Sequence, residues 1–164
     1  TLSLHDALPI YEYMNELENN LVLYFTSTSR ESAEIIKEQV SNVNKKNEKS
    51  IEAMHQLKEQ AKMMKEALLK GKLNDIGEIL DYGFQQKRLM AHNISNTSIE
   101  EVYDAAKKAG ATGGKISGAG GGGFMIFYCP GNTKYAVIKT LHSFGGEVKK
   151  YAFTNQGLAT WTVK

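Results

Sequence analysis

The sequence has little of several features that would assign it to a class of protein. It has one cysteine, Cys129, which cannot form a disulfide within the chain, and this indicates a reducing, cytoplasmic setting. It has no apolar run of about 18 residues, the length that a membrane-spanning helix needs. The net charge is only +2 and no long basic run occurs, which argues against a nucleic-acid partner.

Two chemical patterns are also missing. No set of His, Cys, Asp and Glu residues has the spacing of a metal site, so we predict no metal ligand in this chain. No glycine run ends in Gly-Lys-Ser or Gly-Lys-Thr, which excludes a Walker loop. Any phosphate chemistry therefore needs another kind of motif.

The composition is that of an ordinary globular domain, with 41% hydrophobic and 23% charged residues. Apolar residues that recur every three or four positions predict helices in the middle of the chain. We expect helices over residues 11–19, 51–70, 74–91, 98–109 and 135–144. A further helix is expected to begin at a Thr28–Glu31 capping box, and a capping box at Ser98–Glu101 is expected to open the helix over 98–109.

Short apolar or alternating runs predict strands on both sides of these helices. They are Leu21–Phe25, Phe124–Cys129, Val148–Phe153 and Leu158–Val163. Lys115–Ser117 is either a further short strand or an extended segment that leads into the glycine stretch. Because the helices are grouped in the middle, we predict an α+β fold with an antiparallel sheet packed against helices.

Residues 1–10 show no clean period and resemble translated sequencing adapter at the end of an assembled fragment. We interpret them as a foreign or disordered leader, with an ordinary loop as the alternative. The domain is then predicted over residues 11–164.

The glycines are concentrated in one region, since twelve of the 15 lie at or after Gly110. The densest stretch is Lys115-Ile116-Ser117-Gly118-Ala119-Gly120-Gly121-Gly122-Gly123, directly before the apolar run at Phe124. Glycine is costly to order unless the backbone needs its freedom. The stretch predicts either a close approach of another backbone or a nest of amides that binds an anion. It also fits the dinucleotide spacing Gly-x-Gly-x-x-Gly, but a strand follows instead of the required helix.

This stretch resembles the third motif of the superfamily that contains galactokinase, homoserine kinase, mevalonate kinase and phosphomevalonate kinase, the GHMP kinases. Three flanking stretches resemble bacterial D-glycero-D-manno-heptose 7-phosphate kinases, to which L-fucokinases are closely related. They are Ser29-Arg30-x-Ser32, Lys87–Ser95 and Ile99–Lys115. The resemblance covers about residues 15–164.

The resemblance implies a C-terminal, ferredoxin-like domain with added helices, in which the glycine motif precedes a central strand. It implies ATP and Mg²⁺ as cofactors and a heptose phosphate as substrate. The family's catalytic residues and its ATP-cradling Gly/Ser loop belong to an N-terminal domain, and no such loop occurs here. We therefore expect these residues to work with their own N-terminal domain and to be inactive alone. The resemblance leaves open whether the protein forms a homodimer.

The resemblance also implies which residues lie near ligands. The phosphate-proximal loop comprises Lys115, Ser117, Gly118, Ala119, Gly120, Gly121, Gly122 and Gly123. The candidate substrate-binding residues are Arg30, Lys87, Arg88, His92 and Ser95.

Each of these residues also has a plain structural explanation. Lys115 at a strand edge and Arg30 at a helix start are ordinary solvated charges, and cations near a helix C-terminus need no ligand. Arg88 and His92 are four apart, so we expect them to stack on one helix face. The competing hypothesis is a non-catalytic α+β ligand-binding or interaction domain with structural glycines.

Overall fold

The structure is a computed structural model of the 164-residue chain and describes residues 8–27, 32–154 and 156–162. Six helices are described: α1 Leu8–Asn20, α2 Ser32–Asn44, α3 Glu48–Leu69, α4 Asp75–Arg88, α5 Thr97–Lys108 and α6 Lys134–Leu141. Short 3-10 helices lie at His92–Ile94 and His142–Phe144. The strands are β1 Leu21–Phe25, β2 Gly113–Ile116, β3 Phe124–Tyr128 and β4 Glu147–Lys149.

The four strands form one antiparallel sheet in the order β2-β3-β1-β4. The central pair is β1 with β3, in a register that places Leu23 opposite Ile126. Helices follow β1 and β3, whereas β2 and β3 form a hairpin. This is the βαββαβ order of a ferredoxin-like fold with extra helices in its first crossover, so the predicted α+β architecture is confirmed.

The main core lies on one face of the sheet. Alternate residues of the central strands, Val22 and Tyr24 on β1 and Met125 and Phe127 on β3, are buried there because successive strand residues point to opposite faces. The rings of Phe84, Tyr103 and Phe127 continue this core into α4 and α5, with centroid distances of 5.1 and 6.2 Å between neighbours.

A second apolar cluster joins α1, α3 and α4 to the sheet. Tyr128 belongs to this cluster, whereas its neighbour Phe127 belongs to the main core. The alternation along β3 therefore divides the apolar residues between two clusters. The other members are Leu17, Ala67, Leu73, Ile76, Ile79 and Leu80.

Helix α4 lies directly against strand β2, and two glycines make this possible. A Cβ on Gly113 would overlap the carbonyl group of Gly77, and a Cβ on Gly77 would overlap the Thr112 hydroxyl. The close contact fixes the axis of α4 relative to the sheet. It also brings the last turn of α4 beside the end of β2, where the glycine stretch begins.

One predicted strand is too long, and another does not form in the described residues. The strand expected at Val148–Phe153 is paired only over Glu147–Lys149. Beyond Lys149, the Tyr151 hydroxyl donates to the Glu18 carbonyl over 2.5 Å and lies 3.2 Å from the Leu21 carbonyl oxygen. Residues 158–162, the described part of the strand expected at Leu158–Val163, form no strand, and Leu158 and Trp161 are exposed.

The helix ends also differ in part from the predictions. The N-cap of α5 is Asn96, whose side chain accepts from the Ile99 amide over 3.0 Å, so the capping box predicted at Ser98 is wrong. The predicted Thr28–Glu31 capping box lies outside the described residues. Helix α1 begins at Leu8 and so includes the end of the segment 1–10. The interpretation of that segment as foreign stays a prediction.

Cys129 is fully buried after β3, and burial raises the pKa of its thiol to about 12. Because the thiolate is the reactive form, we expect native protein at pH 8 to resist iodoacetamide and unfolded protein to be alkylated. Mass spectrometry after timed labelling measures this directly. Labelling of native and unfolded protein at equal rates would contradict the burial of this thiol.

Candidate functional site

The glycine stretch is the loop that connects β2 to β3. Its backbone has positive φ at Gly118 (73°), Gly120 (120°), Gly121 (74°) and Gly123 (88°). A residue with a Cβ loses about 1–2 kcal/mol in the left-handed region. The loop therefore requires glycine at these positions.

The centre of the loop rests on the 3-10 helix His92–Ile94. The Gly121 amide donates to the Ile94 carbonyl over 2.8 Å. A Cβ on Gly120 would lie 2.7 Å from that carbonyl oxygen and 2.8 Å from the Ile94 Cα. Ile94 is itself fully buried, so the loop is held against a fixed part of the core.

Three carbonyl groups of the loop accept hydrogen bonds from residues elsewhere in the fold. The Gly123 carbonyl accepts from the amide and the hydroxyl of Thr26, over 2.9 and 3.0 Å. The Gly121 carbonyl accepts from Asn96 Nδ2 over 3.3 Å. The Gly118 carbonyl accepts from the ammonium of Lys87.

Most loop amides, in contrast, have no acceptor in the described part of the chain. Within the described residues, hydrogen-bond acceptors are missing for the amides of Gly118, Ala119, Gly120, Gly122 and Gly123. Gly120 and Gly122 are buried, and buried amides are nearly always paired in folded proteins. Free amides on successive residues of a turn are the donors that an anion-binding nest offers to phosphate oxygens.

A cleft of about 380 Å³ adjoins the loop. Among the described residues, its lining includes Lys87 and Lys115 and no acidic side chain. Burial, together with the neighbouring charge of Lys115, lowers the pKa of Lys87 to about 8. The cleft thus places two cations beside the loop. Its other lining residues are Ile36, Gln39, Leu57, Gln60, Gly83, Met90, Gly118 and Ala119.

The low pKa of Lys87 predicts a pH dependence of stability. The pKa is about 8 in the folded chain and 10.5 in the absence of its surroundings, so between these values the unfolded chain binds more protons. The free energy of unfolding should therefore gain a contribution from Lys87 as pH rises through this window. Lys87→Met should remove that contribution, as measured by urea denaturation from about pH 7 to about pH 10.

The exposed Lys65 on α3 provides a matched control. Lys65→Met removes one charge as well, but should keep the pH profile of the original protein. Parallel profiles for the original protein and Lys87→Met would show that the Lys87 ammonium is not buried as described.

Arg88 and Ser95 both contact Glu100. Arg88 Nη2 lies 3.2 Å from Glu100 Oε2, and the Ser95 hydroxyl donates to Glu100 Oε1. The guanidinium also stacks on Phe84 and Tyr103, at 4.1 and 5.2 Å from the ring centroids. These contacts give Arg88 and Ser95 structural roles, and their predicted substrate contact stays a prediction.

Two of the remaining candidates, His92 and Ser117, donate hydrogen bonds from their backbone amides. His92 is exposed, and its amide donates to Glu38 Oε1 over 2.8 Å. Because α4 ends at Arg88, the expected helical stacking of Arg88 with His92 is wrong. Ser117 closes the hairpin by donating its amide to the Phe124 carbonyl over 2.7 Å. Arg30 lies outside the described residues.

Sequence reasoning missed Thr26, Ile94 and Asn96, which all contact the loop. Asn96 carried a usable signal, because an Asn directly before a helical period is a common N-cap. Thr26 and the Ile94 carbonyl carried none, since they are brought to the loop only by sheet pairing and core packing.

A family profile described as GHMP kinases C terminal matches residues 64–146, which include α4, α5 and the whole glycine loop. The chain belongs to the GHMP kinase family. This agrees with the topology, in which the glycine motif precedes the central strand β3.

Individual GHMP kinases show the same relationship. The chain is 38% identical over 149 residues to the D-glycero-alpha-D-manno-heptose 7-phosphate kinase of Campylobacter jejuni subsp. jejuni serotype O:2, covering 91% of this chain and 43% of that protein. The crystal structure of a D-glycero-D-manno-heptose 1-phosphate kinase from Bacteroides thetaiotaomicron matches with a TM-score of 0.54 and 31% identity, over 85% of this chain and 34% of that one.

The fold extends to more distant relatives. The L. major mevalonate kinase matches with a TM-score of 0.69 and 21% identity, over 75% of this chain and 37% of its own. The chain thus spans less than half the length of each of these three relatives.

The described residues lack two further features. None of the helices has both the length and the apolar character needed to cross a membrane. The same residues contain no group of three or more His, Cys, Asp and Glu side chains arranged to hold a metal ion.

Proposed function

We propose that the chain is part of an ATP-dependent kinase that phosphorylates a sugar phosphate, D-glycero-D-manno-heptose 7-phosphate, to the 1,7-bisphosphate. The single observation that supports phosphate chemistry at this site is the set of loop amides without a protein acceptor. The heptose substrate is favoured by the 38% identity to a heptose 7-phosphate kinase.

The geometry suits phosphoryl transfer, in which enzymes mainly position the reactants and stabilise the charge on three equatorial oxygens. Free amides supply fixed partial positive charges that need no reorganisation during the reaction. Lys87 and Lys115 add positive potential in the adjoining cleft. The chain's own part in this proposal is therefore to bind and orient phosphate groups.

ATP supplies the phosphoryl group and Mg²⁺ the neutralising charge in this proposal. The loop amides fit a phosphate, whereas the described residues offer no cluster of metal ligands, so we assign none of them to Mg²⁺. We likewise assign no catalytic base. These functions belong in our proposal to the protein's own N-terminal domain, and the 164 residues alone should not turn over ATP.

A substrate panel on the complete gene product tests the proposal. ADP release is measured with heptose 7-phosphate, heptose 1-phosphate, L-fucose and mannose as acceptors. We expect heptose 7-phosphate to give the highest kcat/KM and NMR of the product to place the new phosphate on carbon 1. Turnover with none of these acceptors would contradict the kinase proposal, and a preference for heptose 1-phosphate or fucose would contradict the choice of substrate.

A further inference from the structure

The loop carbonyls and the loop amides are geometrically linked. In a trans peptide the C=O of one residue and the N–H of the next point in opposite directions. None of the described peptide bonds is cis. A side chain that holds a loop carbonyl on one side therefore holds the following amide on the other side.

The Thr26 hydroxyl holds the Gly123 carbonyl at the end of the loop, next to β3. Two other side chains hold carbonyls within the loop. Lys87, in the last turn of α4, donates to the Gly118 carbonyl, and this orients the Ala119 amide. Asn96, at the N-cap of α5, donates to the Gly121 carbonyl, and this orients the Gly122 amide. Both oriented amides are among those without a protein acceptor in the described chain.

We propose that Lys87 and Asn96 are positioning residues that hold the Gly118 and Gly121 carbonyls and thereby direct the Ala119 and Gly122 amides towards a bound phosphate chain. This inference rests on the proposed function, because it assigns how the same loop presents its amides. It gives Lys87 a role through the backbone, in contrast to a direct contact with substrate.

The surroundings of both residues support fixed orientations. The side chain of Asn96 is held at both ends, since Oδ1 accepts from the Ile99 amide over 3.0 Å while Nδ2 donates to Gly121. Lys87 faces the cleft with Lys115 as its charged neighbour, and none of the described lining residues is acidic and able to compete for the ammonium. A carbonyl oxygen is thus the acceptor that this ammonium uses.

The test follows the loop amides by ¹⁵N NMR in the complete gene product during titration with inorganic triphosphate. In the original protein we expect saturable shifts of both the Ala119 and the Gly122 amide. Lys87→Met should reduce the Ala119 shift severalfold and leave Gly122 responsive, and Asn96→Ser should do the reverse. Serine retains the N-cap of α5, so loss of the helix does not confuse the result.

Three further variants separate orientation from charge. Lys87→Arg keeps a cationic donor and should restore the Ala119 shift. Lys65→Met and Lys115→Met each remove one charge, so they should lower the affinity for triphosphate without singling out Ala119. Thermal unfolding of each variant confirms that it is folded.

Several outcomes would overturn the inference. One is the absence of loop amide shifts in the original protein, and another is an unchanged pattern in Lys87→Met and Asn96→Ser. Selective loss of the Ala119 shift in Lys115→Met would also overturn it, because charge would then explain the effect. Kinase turnover by the original protein decides the proposed function separately, so the failure of one is distinguishable from that of the other.

Discussion

Gly120→Ala is expected to lower the free energy of unfolding by about 2–4 kcal/mol, from about 1–2 kcal/mol of left-handed strain and a similar cost of overpacking. The strain arises because φ is 120° at Gly120. The overpacking arises because the new Cβ would lie 2.7 Å from the Ile94 carbonyl oxygen and 2.8 Å from its Cα. These are backbone atoms of a buried residue, so no side-chain rotation relieves the contact.

Gly118→Ala is the matched control for this loop. Gly118 also has a positive φ, 73°, but no atom would lie within 4 Å of its Cβ. It should therefore show only the strain, about 1–2 kcal/mol. Urea denaturation of both variants measures the difference, and equal losses would show that Gly120 is not in close contact with Ile94.

The space around each loop glycine shows where each of the two interpretations of the glycine stretch applies. Close backbone approach explains Gly120, whereas nothing crowds Gly118 or Gly123. At those two positions the backbone conformation and the free amides remain as reasons for glycine. The stretch thus combines a structural contact with an open, phosphate-facing segment in our proposal.

Gly113→Ala should lower the free energy of unfolding by about 3 kcal/mol, at the upper end of ordinary overpacking. The new Cβ would overlap the backbone carbonyl of Gly77, and Asp81 Cβ lies only 3.1 Å away. Since strand and helix meet here through backbone, α4 would have to move away from β2. That movement would also withdraw Lys87 from the Gly118 carbonyl.

Thermal unfolding measures this effect, with an expected decrease in Tm of about 6–12 °C for a chain of this size. Gly157→Ala serves as the control, because Gly157 has no atom within 4 Å of a built Cβ. It should leave Tm almost unchanged. A decrease of less than about 2 °C for Gly113→Ala would mean that α4 and β2 separate at little cost.

The fold was predictable where local pattern and packing agree. The apolar runs at Leu21–Phe25 and Phe124–Cys129 were enough to identify β1 and β3 as strands, because alternate residues of both are buried. Their pairing with each other was not predicted. The region after Lys149 was not predictable. Its alternating pattern resembles a strand, but the pairing with β1 stops at Lys149, and the Tyr151 hydroxyl donates to the Glu18 carbonyl.

The unusual backbone conformation of the glycine loop was predictable from the sequence, whereas the residues that hydrogen-bond to the loop were not. Consecutive glycines indicated an unusual backbone, which the positive φ values confirm. The residues that contact it were hidden because Thr26 lies 97 positions from Gly123 and Asn96 lies 25 positions from Gly121. Such pairs depend on tertiary packing and cannot be read from the sequence. Arg88 was predicted to bind substrate, but its guanidinium stacks on Phe84 and pairs with Glu100.

The pairing of β1 with β3 has a consequence for synthesis of the protein on the ribosome. Leu21 pairs with Tyr128 and Phe25 with Phe124, so β1 emerges about 100 residues before its main partner. At ordinary translation rates this delay is roughly 5–20 s. During that time an apolar strand has both edges open, and the nascent chain must avoid pairing with its neighbours until the helical crossover and β3 have been made.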